Sequence, residues 1–285
     1  MLDEMSQVRG APIHYVSQGE GDPVILVHGI FASLYDWMRL APALSAGGYR
    51  ALAPDLFGHG ESLKPDDPGQ YTIETIYAYL EAWIDSLGLD RPAALVGHSM
   101  GGYLSLRYSL AHPERVCGLV LINPLYTLEQ LSPLIRLVSR RPEFGERALR
   151  RAPEWLMNAL LGWDPSKPAD FSAQARRQIA NDYKRASPHI VYLTRSVPDL
   201  TPALPQVKIP ALVVWGDKDQ TLNPESFELL AGCLANAHSH PIPGCGHQPH
   251  IGKPALVNRL ALEFIASLQP ALASMSISGG ALTYE

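Results

Sequence analysis

The stretch ALVGHSMGGYL, residues 94–104, ends an apolar run in a serine and a histidine set among three glycines. Gly97, Ser99 and Gly101 spell G-x-S-x-G between a segment that reads as a buried strand and one that reads as a helix. That context predicts a sharp strand-to-helix bend, with the serine side chain raised at the sheet edge and the glycines letting backbone and helix pass closely. The competing reading is structural: Ser99 caps the next helix, as serines often do. Which reading holds depends on what the rest of the chain brings to that edge.

Outward from the bend, short apolar runs alternate with helical patterns. PVILVHG (23–29), YRALAPD (49–55), AALVGHS (93–99), VCGLVLINP (116–124) and ALVVWGD (211–217) read as strands buried on both faces. TIETIYAYLEAWIDSLG (72–88) has helical apolar spacing, opens on Thr72 and stops at Gly88; MGGYLSLRYSLAHP (100–113) is a second helix, closed by Pro113. This alternation predicts a mostly parallel, doubly wound sheet with helices on both faces. The rhythm breaks over 125–200, which reads as a helical insertion over the sheet's carboxyl edge. The expected division is therefore a core of 1–124 and 201–268, a helical cap of 125–200, and a loosely held tail at 269–285.

Composition narrows the function. Of 285 residues, 46% are hydrophobic and 18% charged, enough apolar material for a large core. A net charge of −5 argues against nucleic acid as a partner. The three cysteines (Cys117, Cys233, Cys245) form no disulfide framework. The first residues lack a secretory pattern, and no apolar run is long enough to span a bilayer. These features set the expectation of a cytoplasmic protein acting on a small molecule, without integral membrane association.

A serine hydroxyl attacks at neutral pH only with a base in reach, and that base needs a partner to fix its tautomer. In a doubly wound sheet these must stand at the carboxyl ends of later strands. VVWGDKDQTLNP supplies acids there, Asp217 and Asp219; HSHPIPGCGHQPH supplies histidines, His247 and His250. LVHGIF (26–31) ends an early strand in a small-residue turn, so the Ile30 amide can face the serine, with the Met100 amide as a second oxyanion donor. A metal site among His238, His240, Cys245, His247 and His250 fits no tight zinc spacing, so no metal or cofactor is expected.

Taken together, HG at 28–29, DLFGHGES at 55–62, GHSMGG at 97–102, WGDKD at 215–219 and GCGHQPH at 244–250 resemble the α/β-hydrolase superfamily in order and spacing. The resemblance runs from about residue 12 to 268. It implies a sheet of about eight strands, with Ser99 as nucleophile, Asp219 rather than Asp217 as the acid, and His247 as the base, His250 being a packing neighbour. Within DLFGHGES it implies a structural turn next to the site, formed by Asp55, Gly58, Gly60 and Ser62; His59 reads by default as exposed-loop material. An acid common in the family two places after His250 is here Gly252. Relatives resembling haloalkane dehalogenases or epoxide hydrolases use aspartate at position 99; serine instead implies acyl transfer to water.

The expected activity is hydrolysis of carboxylic esters with short to medium acyl chains. The pocket walls are expected from Phe31, Leu131, Trp155, Leu156 and Trp163, with Leu134 and Leu160 as further candidates. A carbon–carbon hydrolase of ring-cleavage products, a perhydrolase, or a ligand receptor with little turnover stand as alternatives. The cap's many arginines read as solvated helix faces or as a patch for anionic surfaces or substrates.

Overall fold

Alternating chain segments build one eight-stranded sheet in the computed structural model, which describes residues 2–151, 181–182 and 184–268. The strands are β1 (Leu2–Val8), β2 (Ala11–Gln18), β3 (Asp22–Val27), β4 (Tyr49–Pro54), β5 (Ala93–His98), β6 (Val116–Ile122), β7 (Ala211–Gly216) and β8 (Ala237–Ile242). Their order across the sheet is β1-β2-β4-β3-β5-β6-β7-β8. All pairings from β4 to β8 are parallel, while β1 and β2 join antiparallel at one edge. Every strand read from the sequence is present. The central ones are apolar on both faces because helices cover both: Val24, Ile25 and Leu26 of β3 have no exposed surface.

Three strands escaped the sequence reading, and each lies at or next to an edge. In β1 (LDEMSQV) and β8 (AHSHPI) most side chains are exposed or half-buried, so neither shows an apolar run. Pro241 in β8 is tolerated because an edge strand has no partner on its outer side.

Two helices follow the sequence closely. Helix α2 (Ile73–Ser86) is capped by Thr72, whose side chain accepts from Thr75 N, and α3 (Met100–Ala111) starts directly after Ser99. α1 (Leu40–Ala46), α6 (Glu225–Cys233) and α7 (Pro254–Ser267) are the core's other described α-helices of seven residues or more, with α4 (Pro133–Ser139) and α5 (Pro142–Arg151) between β6 and β7. The last two belong to the segment read as the insertion. A short bridge, Leu131 to Leu222, ties it to the loop after β7, reinforced by Ser132 N donating to Thr221 O at 2.9 Å. Residues 152–180 of the expected cap and the expected tail 269–285 lie outside the described residues. No described helix is long and apolar enough to cross a membrane.

The topology fixes where a site can form. After β3 the chain turns to one side to make β4, then crosses to the other to make β5. Neighbouring loops at the carboxyl ends of β3 and β5 therefore splay apart and leave a crevice, the place where open α/β sheets bind ligands.

Candidate active site

Ser99 stands at that crevice with φ 53° and ψ −115°, a left-handed conformation that costs a non-glycine residue roughly 1–3 kcal/mol. The bend needs its glycines. A Cβ on Gly101 would sit 1.9 Å from the carbonyl oxygen of Val27, and one on Gly97 would sit 2.4 Å from that of Gly101. The turn is held by Ser99 N donating to Ile122 O at 3.1 Å and by Leu125 N donating to Ser99 O at 3.0 Å. The Ser99 side chain makes no capping bond to α3, which removes the structural reading of this serine. Its Oγ lies 3.0 Å from Nε2 of His247 instead.

His247 Nδ1 faces Asp219 Oδ2 at 2.7 Å. A carboxylate only accepts, so Nδ1 carries the proton and Nε2 is free to accept one from the serine. Asp219 is itself over-determined. Its Oδ1 accepts from the amides of Thr221 at 2.7 Å and Leu222 at 3.1 Å, and its Oδ2 also accepts from Asn123 Nδ2 at 2.7 Å. Burial alone would raise this carboxyl. The His247 imidazole, Asn123 and the Leu222 amide outweigh burial and hold it below the usual carboxylate range. Asp217 is elsewhere, accepting from Gly244 N at 2.7 Å to shape the loop after β8. Asn123, at the end of β6 with φ 41°, was not singled out in the sequence; an asparagine closing a buried strand at the same sheet edge was the available signal.

A second layer lies behind His247. His98 Nε2 is 3.0 Å from the His247 carbonyl oxygen and must donate to it, while His98 Nδ1 is 3.2 Å from Asp36 Oδ2. Both contacts are hydrogen bonds only when the Asp36–His98 pair holds one proton more than a neutral imidazole and a carboxylate carry between them. His250 packs on this pair, its ring 4.5 Å from that of His98 and 5.2 Å from that of Trp37, with Nε2 3.8 Å from Asp36. The family's acid is absent at Gly252, and Asp36, from a different loop, puts the carboxylate beside these histidines. Asp36, His98 and His250 are also the one group of three metal-capable side chains that converges among the described residues, and all three are buried. His238 and His240 are not part of it.

The loop after β3 is held by two buried imidazoles. Leu56 N donates to His28 Nε2 at 3.0 Å, so His28 Nδ1 carries the proton and donates to Gly29 O at 2.8 Å. Phe31 N donates to His59 Nε2 at 3.2 Å, and His59 Nδ1 donates to Phe57 O at 3.0 Å. His59 is fully buried, not on an exposed loop as its sequence context suggested. Its ring is a backbone acceptor that lets Phe31 hold φ 60°. Burial lowers both rings, that of His59 to about 3, which keeps each neutral and able to accept. DLFGHGES is structural as read, since the Asp55 carboxylate accepts from Leu34 N and Glu61 N, both at 2.9 Å. With the Phe31 amide committed to His59, the amides of Ile30 and Met100 are spent in no hydrogen bond among the described residues. Ile30 and Met100 both line the cavity at Ser99.

That cavity measures about 250 Å³. Phe31 and Leu131 line it as expected; Leu134 does not, being 72% exposed on the other side of α4. Trp155, Leu156, Leu160 and Trp163 fall outside the described residues. Walls the sequence reading missed include Leu125, Leu128, Ile135, Val191 and Leu222. Ser139, Thr194, Thr221 and Gln248 add polarity, and among the described residues no aspartate, glutamate, lysine or arginine lines the space.

Comparison with known proteins adds the family. The sequence profile described as the alpha/beta hydrolase fold matches residues 22–254. The chain is 24% identical over 298 residues to bifunctional epoxide hydrolase 2 of Sus scrofa, covering 90% of this chain but only 53% of that protein, about half its length. It is 28% identical over 265 residues to 2-hydroxy-6-oxo-6-(2'-aminophenyl)hexa-2,4-dienoic acid hydrolase of Metapseudomonas resinovorans, covering 90% of this chain and 88% of that one. A solved thermophilic esterase from Thermogutta terrifontis superposes with a TM-score of 0.79 at 25% identity, covering 94% of this chain and 99% of that one. The chain belongs to the α/β hydrolase fold family.

Proposed function

We propose that this α/β hydrolase is a serine hydrolase that cleaves neutral carboxylic esters through an acyl-enzyme, with Ser99 as nucleophile, His247 as general base and Asp219 as its orienting acid. One observation carries the reading: Ser99 Oγ lies 3.0 Å from an imidazole nitrogen whose partner nitrogen is tied to a buried carboxylate. His247 takes the serine proton as Oγ attacks the ester carbonyl, and Asp219 stabilises the imidazolium that forms. The Ile30 and Met100 amides receive the oxyanion, each such donor being worth about 3 kcal/mol of barrier. The alcohol leaves with the proton from His247. Water, activated by the same ring, then releases the acid and restores Ser99. The helices after β6 act as a cap whose apolar inner wall holds the acyl chain.

The relative from Metapseudomonas resinovorans raises a second reading, cleavage of a carbon–carbon bond by the same three residues. Its substrate is named as a dienoic acid, a compound that carries a carboxyl group. The cavity here has no cationic side chain among the described residues, and burying an unpaired carboxylate is costly. That favours neutral acyl groups. A p-nitrophenyl ester series tests the choice: turnover should peak at short to medium chains and vanish in Ser99→Ala. Faster cleavage of a carboxylate-bearing vinylogous diketone than of any ester would reverse the assignment.

A further inference from the structure

Helices α4 and α5 form a hairpin with two unlike faces. Ile135, Ser139, Pro142 and Gly145 face inward and wall the cavity over Ser99. On the outside stand Leu134, 72% exposed, Leu137, 64%, and Phe144, 58%. Isolated exposed apolar residues are ordinary. Here three of the eight large ones among the described residues fall within these two helices, a local concentration of the kind that marks an interaction surface.

The charge around that patch is one-sided. Arg140 and Arg141, exposed, lie in the turn between the helices; Arg147 and Arg151, also exposed, follow Phe144 at helical spacing on the same stripe of α5. The Arg147 guanidinium sits over the Phe144 ring, 5.7 Å from its centroid. The hairpin's two acids are engaged elsewhere: Glu143 pairs with Arg195, while Glu146 pairs with Arg150 at 2.8 Å and accepts from Tyr192 at 2.9 Å. Arg140, Arg141, Arg147 and Arg151 make no ion pair among the described residues. This cationic face belongs to a chain whose net charge is −5, so it is a local construction.

We propose that the outer face of this hairpin docks on the surface of an anionic phospholipid bilayer. Leu134, Leu137 and Phe144 enter the headgroup–acyl boundary, and the four arginines meet the lipid phosphates. A nucleic acid would use the arginines and leave the three apolar side chains without a partner. A second copy of the chain docking face to face would set four arginines against four. The same two short helices wall the cavity, so docking brings the site against a source of neutral acyl chains. That last step rests on the function proposed above; docking itself does not.

The test is co-sedimentation of the full chain with vesicles of phosphatidylcholine alone and of phosphatidylcholine with phosphatidylglycerol, alongside hydrolysis of a soluble short-chain p-nitrophenyl ester. Binding should be at least about tenfold tighter to the anionic vesicles and should fall steeply as salt rises to about 0.5 M. Arg140→Glu/Arg141→Glu/Arg147→Glu should weaken it on the order of a hundredfold. Leu134→Ser/Leu137→Ser/Phe144→Ser should weaken it at least about tenfold. Both triple variants should keep the melting temperature and the soluble-ester activity. Should a variant fold poorly, the salt and lipid dependence of the unaltered protein decide the matter. Equal partition onto both vesicles, no partition, or binding indifferent to both variants overturns the proposal, as does a change in self-association without a change in vesicle binding. Loss of soluble-ester turnover in Ser99→Ala with vesicle binding intact leaves docking standing; no ester turnover by the unaltered chain strikes the Ser99 reading alone.

Discussion

His98 and His247 are joined main chain to side chain: the His98 ring donates from Nε2 to the carbonyl oxygen of His247 at 3.0 Å. The residue immediately before Ser99 thus holds the backbone of the residue whose ring faces Ser99. Ser99 and His247, 148 positions apart in sequence, are set against each other by one imidazole, itself held by Asp36.

His98 is accordingly a positioning residue. His98→Ala should lower kcat by about 10²-fold, the scale of a small misplacement of reacting groups, with KM little changed. Asp36→Asn should be mild, because an amide can donate to a neutral His98 Nδ1 and preserve its bond to His247 without the extra proton. Asp36→Leu should resemble His98→Ala. Steady-state kinetics on a soluble ester check all three; a loss confined to KM would show that the pair shapes the pocket and not the base.

The proposed acid is Asp219, which faces His247 Nδ1 at 2.7 Å, two residues from a rival. Asp219→Asn should cost about 10³- to 10⁴-fold in kcat by destabilising the imidazolium and its tautomer. Asp217→Asn keeps an oxygen for the Gly244 amide and should stay within about twofold. The opposite ranking would move the acid to Asp217, two residues earlier in the same loop after β7.

Stability should fall on mild acidification, and the sign follows from His59. Its ring titrates at about 3 when folded and near 6.5 in an unfolded chain. Between these values the unfolded state binds the additional proton, so stability drops as pH falls from about 6.5. His28 is lowered in the same sense. Asp219 and Asp55, both lowered, contribute stability at higher pH that is lost further down, as pH falls through their folded-state values. Urea unfolding near pH 5 should show a slope of at least about 1.4 kcal/mol per pH unit. A flat profile between pH 6.5 and 4.5 would show that the His28 and His59 rings are not held neutral.

Much of this architecture was legible because central parallel strands and their glycine-bounded loops leave strong local patterns. Ser99 and Asp219 each sit just past such a strand, so type and place coincide, while His247 follows the edge strand β8 and was legible from its own GCGHQPH stretch. The edge strands β1 and β8 were missed because half-exposed backbone pairing imposes no apolar run. Asp36, His59 and Asn123 were missed or misplaced for a different reason. Asp36 and His59 look like ordinary loop material in sequence and Asn123 like the plain end of a strand; each becomes a buried partner only when another loop closes over it, a long-range relation that no spacing encodes. Leu134 was a fair candidate for the pocket by helical spacing, yet spacing alone cannot say which face of α4 turns inward.

The central claim is that the Ser99 hydroxyl is activated by His247, and it is tested most directly by intact and peptide mass spectrometry after treatment with an organophosphonate ester. The account predicts one adduct per chain, on Ser99, forming together with loss of ester hydrolysis and absent in Ser99→Ala. An adduct on another residue, or full activity retained by a chain labelled at Ser99, would contradict it.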